Sequence, residues 1–457
     1  MSEAYFSDEQ VQTTALAIFE LMKKGYSAKA HAEAEALVAK RPDADKARQV
    51  AAAAALQDDH REKGLEHLLW RLKADPDDIK RLRAVATVLL DLERFAKAEP
   101  FLRRALELDS LRADLHFDMA RICASQKKHA EAVHHYRVAQ QLDPDDTISS
   151  ENLIFLLDFV PAEDTARQQR ERRYWFERFV KPKVRAHPFS NADADPEKKL
   201  RIGYVGGDFK LHSAARIFGP MVRDYDRDLF EVYCYYTLAG VDDETRRYQE
   251  AATVFREVDQ YDDEGIARKV RADGIDILVD LATYSMGGRL GVFARRAAPV
   301  QISAWGHCHG TGLDSMDVLF SDAFCIPPDE RTLFPEKIVD LPCVITFAEE
   351  TGLPDPSPQP CDKNGYITFA GINRMEKITA ETLQLWAATL AAVPGARLFA
   401  KAGGFEVEIE RQRVWDAMRA AGVDPGRVSL AGSTERDRFA STSRPAFSWS
   451  RTPTGMP

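Results

Sequence analysis

Three polar clusters in this chain have the residue types that acid–base or transfer chemistry requires. The first is Asp208, His212 and Ser213 in LRIGYVGGDFKLHSAAR, after an apolar run and a Gly206-Gly207 turn. The second is Thr283, Tyr284 and Ser285, with Gly287 and Gly288, after DILVDLA. The third is WGHCHGTG, which sets His307, Cys308 and His309 beside Gly310-Thr311-Gly312 after PVQIS. Each apolar run reads as a buried strand, and ligands of open α/β sheets sit outside the carboxyl ends of strands, so all three clusters are candidates to meet a substrate. Histidine titrates near neutrality, which suits His212 or His307 to acid–base work or hydrogen bonding. The competing reading of the first cluster is structural: Gly-Gly makes a turn and His212 caps a helix. His-Cys-His offers no complete metal-ligand set with recognisable spacing, so no metal is expected there.

The elements that position these clusters are legible from periodicity. From 199 to 345, RIGYVGG, FEVYCYYT, DILVDLA, PVQISAW, DVLFSDAF and KIVDLPCV alternate with amphipathic segments, which predicts a mostly parallel, helix-covered sheet. No GxGxxG follows the first strand, which disfavours a nicotinamide or flavin enzyme. Upstream, over 8–160, Pro42, Pro76, Ser110 and Pro144 recur every 34 residues, which is the tetratricopeptide period. Ala30, Gly64, Ala98 and Ala132 fall on the same comb, as do Ala34, Leu68, Leu102 and Tyr136. Small residues there let paired helices approach, and larger ones fill the gaps between pairs. Such a solenoid presents a face suited to an extended peptide. Residues 161–198 read as a helix and a Pro- and Asp-rich surface linker, with the basic run RQQRERR (Arg167 to Arg173) expected on a solvated face opposite Trp175, Phe176 and Phe179.

The totals narrow the class. The 457 residues correspond to about three domains. A formal charge of -10 argues against nucleic acid or an anionic membrane as the main partner. Six scattered cysteines without CxxC spacing fit reduced thiols. No apolar h-region or run of 18 apolar residues occurs, so a cytoplasmic protein is expected.

The ordered set of LRIGYVGGDFKLHSAA, DILVDLATYSMGGRL, FARRAAPVQISAWGHCHGTGLDSMD and AGINRMEKITAETLQLWAATLAAVPGARL, behind a 34-residue repeat array, resembles the bacterial form of the O-GlcNAc transferase and Spindly-type protein glycosyltransferases. The resemblance covers roughly residues 8 to 432. It implies an α-helical tetratricopeptide solenoid joined to a GT-B fold of two Rossmann-like lobes. It further implies an inverting, metal-independent and cofactor-free transfer of a sugar from a nucleotide-sugar donor, UDP-GlcNAc by default, to Ser or Thr of proteins. On the same basis His212 and His307 line the cleft as catalytic candidates, with Asp208, Ser213, Tyr284 and Thr311 as possible cleft-lining residues. Lys377, with Asn373 and Arg374, resembles the pyrophosphate-binding group of the donor lobe. A fixed ammonium there favours a leaving diphosphate as its charge grows. The family pattern has proline and glycine after the position of His307, where this chain has Cys308 and His309.

After a linker at 346–361, the second lobe spans 362–432 and contains strands YITFAGIN, ARLFAKAGG and RVSLAG, half of what a nucleotide-binding lobe needs. The last 20 residues, RFASTSRPAFSWSRTPTGMP, hold no Leu, Ile, Val, Asp, Glu or Lys. Residues 433–457 are therefore expected to be an aberrant tail, from a frameshift or truncation near Phe439. An exposed sheet edge would accompany it. The alternative to an enzyme is a tetratricopeptide adaptor with a non-catalytic C-terminal region.

Overall fold

The computed structural model describes residues 6–92, 94–160, 164–185, 187–189, 195, 197–306, 309–345 and 358–432. The chain forms two compact units, Met1–Thr346 and Phe347–Pro457.

The first unit begins with helices in antiparallel pairs: α1 (Asp8–Lys23) with α2 (Ser27–Lys40), α3 (Asp45–Gln57) with α4 (Arg61–Ala74), α5 (Ile79–Asp91) with α6 (Phe95–Leu108), and α7 (Ala113–Ser125) with α8 (His129–Leu142). Ala30, Ala98 and Ala132 are fully buried, and a Cβ on Gly64 would lie 2.7 Å from the Leu56 side chain, so the comb of small residues is where the paired helices touch. The turn inside each pair also keeps the period. Gly25, Asp59 and Lys127, all on the 34-residue comb, have φ of 79°, 59° and 61°. The left-handed turn is therefore a property of the repeat, and only its first copy uses glycine.

Helix α9 (Thr147–Leu157) closes the array and serves two cores. Leu153, Leu156 and Leu157 join the array's core, whereas Ile154 packs with Trp175, Phe176 and Phe179 in the core that continues under the sheet. Those aromatics come from α10 (Thr165–Trp175) and the π-helical turn Phe176–Val180 that extends it. The basic run on α10 is not the solvated face expected from its composition. Arg170 and Arg173 are exposed, but Gln168, Gln169 and Arg172 are buried, because each finds a specific polar partner in the interior.

The sheet follows. Strands β1 (Leu200–Gly206), β2 (Phe230–Tyr236), β3 (Val254–Glu257), β4 (Ile277–Asp280), β5 (Val300–Ser303), β6 (Val318–Ser321) and β7 (Lys337–Asp340) are all parallel, in the order β3-β2-β1-β4-β5-β6-β7. Between them run α11 (Ala215–Arg223), α12 (Asp243–Ala251), α13 (Asp263–Ala272) and α14 (Leu290–Ala294). Both faces are covered, as the apolar strand runs require. Tyr204, Cys234 and Val279 point into one core, and Val205, Tyr235 and Leu278 into the other. Six strands match the runs read from the sequence. The seventh, β3, is a short edge strand of mixed polarity that gave no apolar run.

The second unit holds α15 (Pro360–Asn364), β8 (Thr368–Ile372), α16 (Ala380–Ala392), β9 (Arg397–Lys401), α17 (Glu408–Ala420) and β10 (Val428–Ala431). Its strands are parallel in the order β10-β9-β8. A core of Leu383, Leu390, Leu398, Val414 and Met418 joins both helices to the sheet. Among the described residues β8 pairs on one side only, and Ile367 and Ile372 on it and beside it are exposed. The tail at 433–457 and the linker at 346–357 lie outside the described residues.

Candidate active site

Strand order reverses between β1 and β4, so the switch-point crevice lies at the carboxyl ends of these two strands. The loops leaving them are the first two clusters read from the sequence. They meet glycine to glycine: a Cβ on Gly287 would sit 2.8 Å from Gly207 Cα, and Thr237 Oγ1 donates to the Gly287 carbonyl at 2.6 Å. Any side chain at either position would separate the loops.

On the β1 loop, His212 is exposed. Its Nδ1 accepts the Ala214 N–H at 3.3 Å and lies 3.3 Å from Asp208 Oδ1. Asp208 is partly buried, and desolvation holds its carboxyl above the usual range, with His212 and Lys210 pulling the other way. The pair is thus an imidazole open to solvent with a carboxyl four residues before it on the same loop. Ser213 is exposed beside it, and Leu211 and Met286 give the two loops an exposed apolar rim.

The β4 loop is fixed by Asp280, which is buried. Its Oδ1 accepts the N–H of Ala282 and Thr283 at 3.2 and 3.0 Å, and its Oδ2 accepts the Ser303 hydroxyl at 3.0 Å. Thr283 there and Trp305 after β5 adopt φ of 47° and 60°. Two non-glycine left-handed residues at neighbouring strand ends are strain held by the surrounding fold, as functional loops often carry. Gly306 follows at close quarters, since a Cβ on it would lie 1.8 Å from the Leu281 carbonyl oxygen. Gly306→Ala is therefore expected to destabilise the chain by about 1–3 kcal/mol, checked by urea unfolding.

The third cluster is the most firmly tied. Three consecutive carbonyls each receive a side-chain donor: His309 O from Gln169 Nε2 at 2.7 Å, Gly310 O from Arg172 Nε at 3.2 Å, and Thr311 O from the Tyr284 hydroxyl at 2.7 Å. The N–H and hydroxyl of Thr311 both donate to Glu336 Oε1, at 2.6 and 2.5 Å. Thr311 is fully buried and its hydroxyl is spent on Glu336, so it braces the loop from inside where the sequence suggested a cleft-lining position. Tyr284 is likewise occupied. Burial holds its phenol well above the ordinary range, with Arg172 pulling the other way, and it stacks edge-on against Trp175 at 5.2 Å. His307 and Cys308 lie outside the described residues.

Arg172 anchors this arrangement. It is 0% exposed, and both oxygens of the buried Asp158 accept its Nη2 at 2.6 Å. Gln169, Arg172, Asp158, Asp280 and Glu336 were not singled out from the sequence. The only signal for Asp280 was its place at the end of an otherwise apolar strand run.

In the second unit, the loop after β8 carries Asn373, Arg374 and Lys377, all exposed. Asn373 N–H donates to Lys401 O at 3.1 Å, continuing the β8–β9 ladder, and Met375–Lys377 forms a 3-10 turn. Thr379 caps α16, and the Thr382 hydroxyl donates to the Lys377 carbonyl at 2.9 Å. The turn sets the lysine at a strand's carboxyl end, just before a helix N-terminus, which is favourable ground for an anion. Together the three side chains supply two cations and an amide to one loop.

Residues 166–352 match the model of glycosyl transferase family 41. Relatives named "Probable UDP-N-acetylglucosamine--peptide N-acetylglucosaminyltransferase SPINDLY" from Petunia hybrida and Arabidopsis thaliana are 30% and 31% identical over 297 and 298 residues, 64% of this chain and 32% of theirs. A mutant of the O-GlcNAc transferase of Thermobaculum terrenum superposes with a TM-score of 0.75 at 29% identity, covering 87% of this chain and 76% of that one. The fold is thus a tetratricopeptide solenoid followed by α/β lobes of GT-B type. Over these spans the chain is similar in sequence and fold to the O-GlcNAc transferase and SPINDLY group. It spans about a third of the length of those curated relatives.

Proposed function

We propose that the chain is a protein O-glycosyltransferase that moves a sugar from a nucleotide-sugar donor, UDP-GlcNAc in the first instance, to Ser or Thr hydroxyls of protein acceptors. The observation that carries this reading is the likeness to a solved O-GlcNAc transferase over both the repeats and the sheet. An acceptor oxygen attacks the anomeric carbon, the bond from that carbon to the phosphate oxygen breaks, and the nucleotide diphosphate leaves. The acceptor proton passes to a base, for which His212 and His307 are the candidates. Asp208 positions the His212 imidazole, and Ser213 stands beside it at the acceptor. Lys377, Arg374 and Asn373 hold the diphosphate, whose charge rises as the bond breaks, so no metal or cofactor is needed. The repeat array selects the acceptor. No helix among the described residues is long and apolar enough to cross a membrane.

Calorimetry with UDP on the full chain tests the donor assignment. A saturable heat is expected, with binding at least roughly tenfold weaker in Lys377→Ala, the loss of about 1.4 kcal/mol or more. Equal affinity in the variant removes Lys377 from the site. A second reading, an adaptor with a non-catalytic C-terminal region, draws on the shallow grooves around Leu69, Trp70 and Phe101 on α4 and α6. Peptide binding with no UDP heat selects it.

A further inference from the structure

Among the described residues, one group of three His, Cys, Asp or Glu side chains brings its ligand atoms within 4.8 Å of one another: His31, Asp58 and His60. His31 stands on α2, and the other two on the turn between α3 and α4, so the cluster bridges the first repeat and the second. His31 Nδ1 lies 2.9 Å from Asp58 Oδ2, and His60 Nδ1 lies 3.1 Å from the same oxygen. The rings are tilted, with centroids 4.6 Å apart.

The repeat lattice shows that this composition is not inherited from the fold. The equivalent positions one repeat on are Leu65, Leu92 and Arg94, and two repeats on Glu99, Gln126 and Lys128. In the latter the contact is an ordinary ion pair, Lys128 Nζ to Glu99 Oε1 at 3.2 Å, with Gln126 also bonded to Glu99. The lattice therefore guarantees that side chains at these three positions meet. Only at the first junction are all three of them metal-ligand types.

We propose that His31, Asp58 and His60 form a binding site for a divalent transition metal ion, zinc in the first instance, which staples the first repeat to the second. Two imidazoles and a carboxylate suit zinc, with water as a fourth ligand. Tetrahedral zinc with bonds of about 2.0–2.1 Å separates its ligand atoms by about 3.3 Å, so the observed 2.9 and 3.1 Å need to open only slightly. The ion takes the place of the ring protons that now face Asp58, and these move to the opposite ring nitrogens. His60 Nδ1 also faces the Asp58 carbonyl at 2.8 Å, a contact that its 60% exposed side chain can give up by rotating. Glu35 Oε1, bonded to His67 Nε2 at 2.7 Å, stands 3.9 Å behind His31 Nε2, the nitrogen that carries the proton once the metal is bound.

The test is calorimetry with zinc chloride on the full chain, purified without an oligohistidine tag. One equivalent should bind saturably and raise the melting temperature. His60→Ala, which alters an exposed ring, and the isosteric Asp58→Asn should each weaken binding at least tenfold while their metal-free melting temperatures stay near the parent's. Cobalt in place of zinc should give visible bands without a thiolate charge-transfer band. Absence of a stoichiometric heat overturns the proposal. So does undiminished binding in both variants, which would point instead to the His116–His135 pair, whose Nδ1 atoms lie 2.9 Å apart.

Discussion

Replacing Arg172 by methionine is expected to lower the stability of the chain by about 3–5 kcal/mol, read as an earlier midpoint in urea. The guanidinium has no exposure, and its loss takes from the buried Asp158 carboxylate, at the end of α9, the cation that both its oxygens bind. The Gly310 carbonyl loses its donor at the same time. Asp158→Asn should cost a comparable amount, because it leaves the cation behind. The double variant Arg172→Met with Asp158→Leu should recover part of the loss, since it removes both charges together. Amide exchange at 309–313 should quicken in the single variants, as the loop is held by this side chain and its neighbours. An unchanged midpoint in Arg172→Met would show that the pair carries little net energy.

The second large effect concerns pH. A cavity of about 390 Å³ lies where α9 meets the sheet, lined by Glu151, Trp175, Lys183, Asp263 and Arg289 among others. Burial lifts the Glu151 carboxyl to about 7 from its ordinary 4.5, opposed by the Trp175 indole and reinforced by Asp263 and Asp146. Asp263 is itself raised by burial, moderated by Arg289 and Arg295. Below about pH 4.5 the carboxyl is protonated in both folded and unfolded chains and costs nothing. Between there and pH 7 the unfolded chain releases a proton that the fold retains, so stability falls as pH rises, and above pH 7 the full cost is present. Glu151→Gln keeps the shape of the neutral form. It should therefore be more stable than the parent by about 3 kcal/mol near pH 8 and match it near pH 4, measured as melting temperature against pH. A variant less stable at the higher pH would mean that the ionised carboxylate is paired with Lys183 or Arg289.

How far the sequence could be read depended on whether a residue's surroundings were local. The 34-residue comb and six apolar strand runs report burial directly, because a helix pair and a doubly covered strand impose their own periods. Strand β3 escaped notice because VFRE at a sheet edge has one partner and no apolar run. Asp208 and His212 were legible as a pair, being four residues apart. Arg172 was not: its carboxylate partner lies 14 residues before it, and the carbonyl it holds 138 residues after. A run of arginines and glutamines looks solvated unless those partners are known. Thr311 misled for the same reason, since Glu336, which takes its hydroxyl, is 25 residues further on.

Helix α9 changes how the chain can be cut and recombined. Solenoids need an end piece that hides the last repeat's apolar flank. Here that piece is not a polar helix of the array's own: Ile154 faces the aromatics of α10 and the core under the sheet, while both oxygens of Asp158 accept from Arg172 on α10. The core under the β1–β7 sheet is thus the plug of the solenoid. A fragment stopping at residue 160 would carry a bare flank and lack the Arg172 guanidinium that binds Asp158, so the smallest autonomous array includes α10 and its π-helical extension. Exchanging repeat arrays between relatives by joining them before α10 would separate a donor from its acceptor in the cut itself, and the natural seam for such chimeras lies in the linker after Lys183.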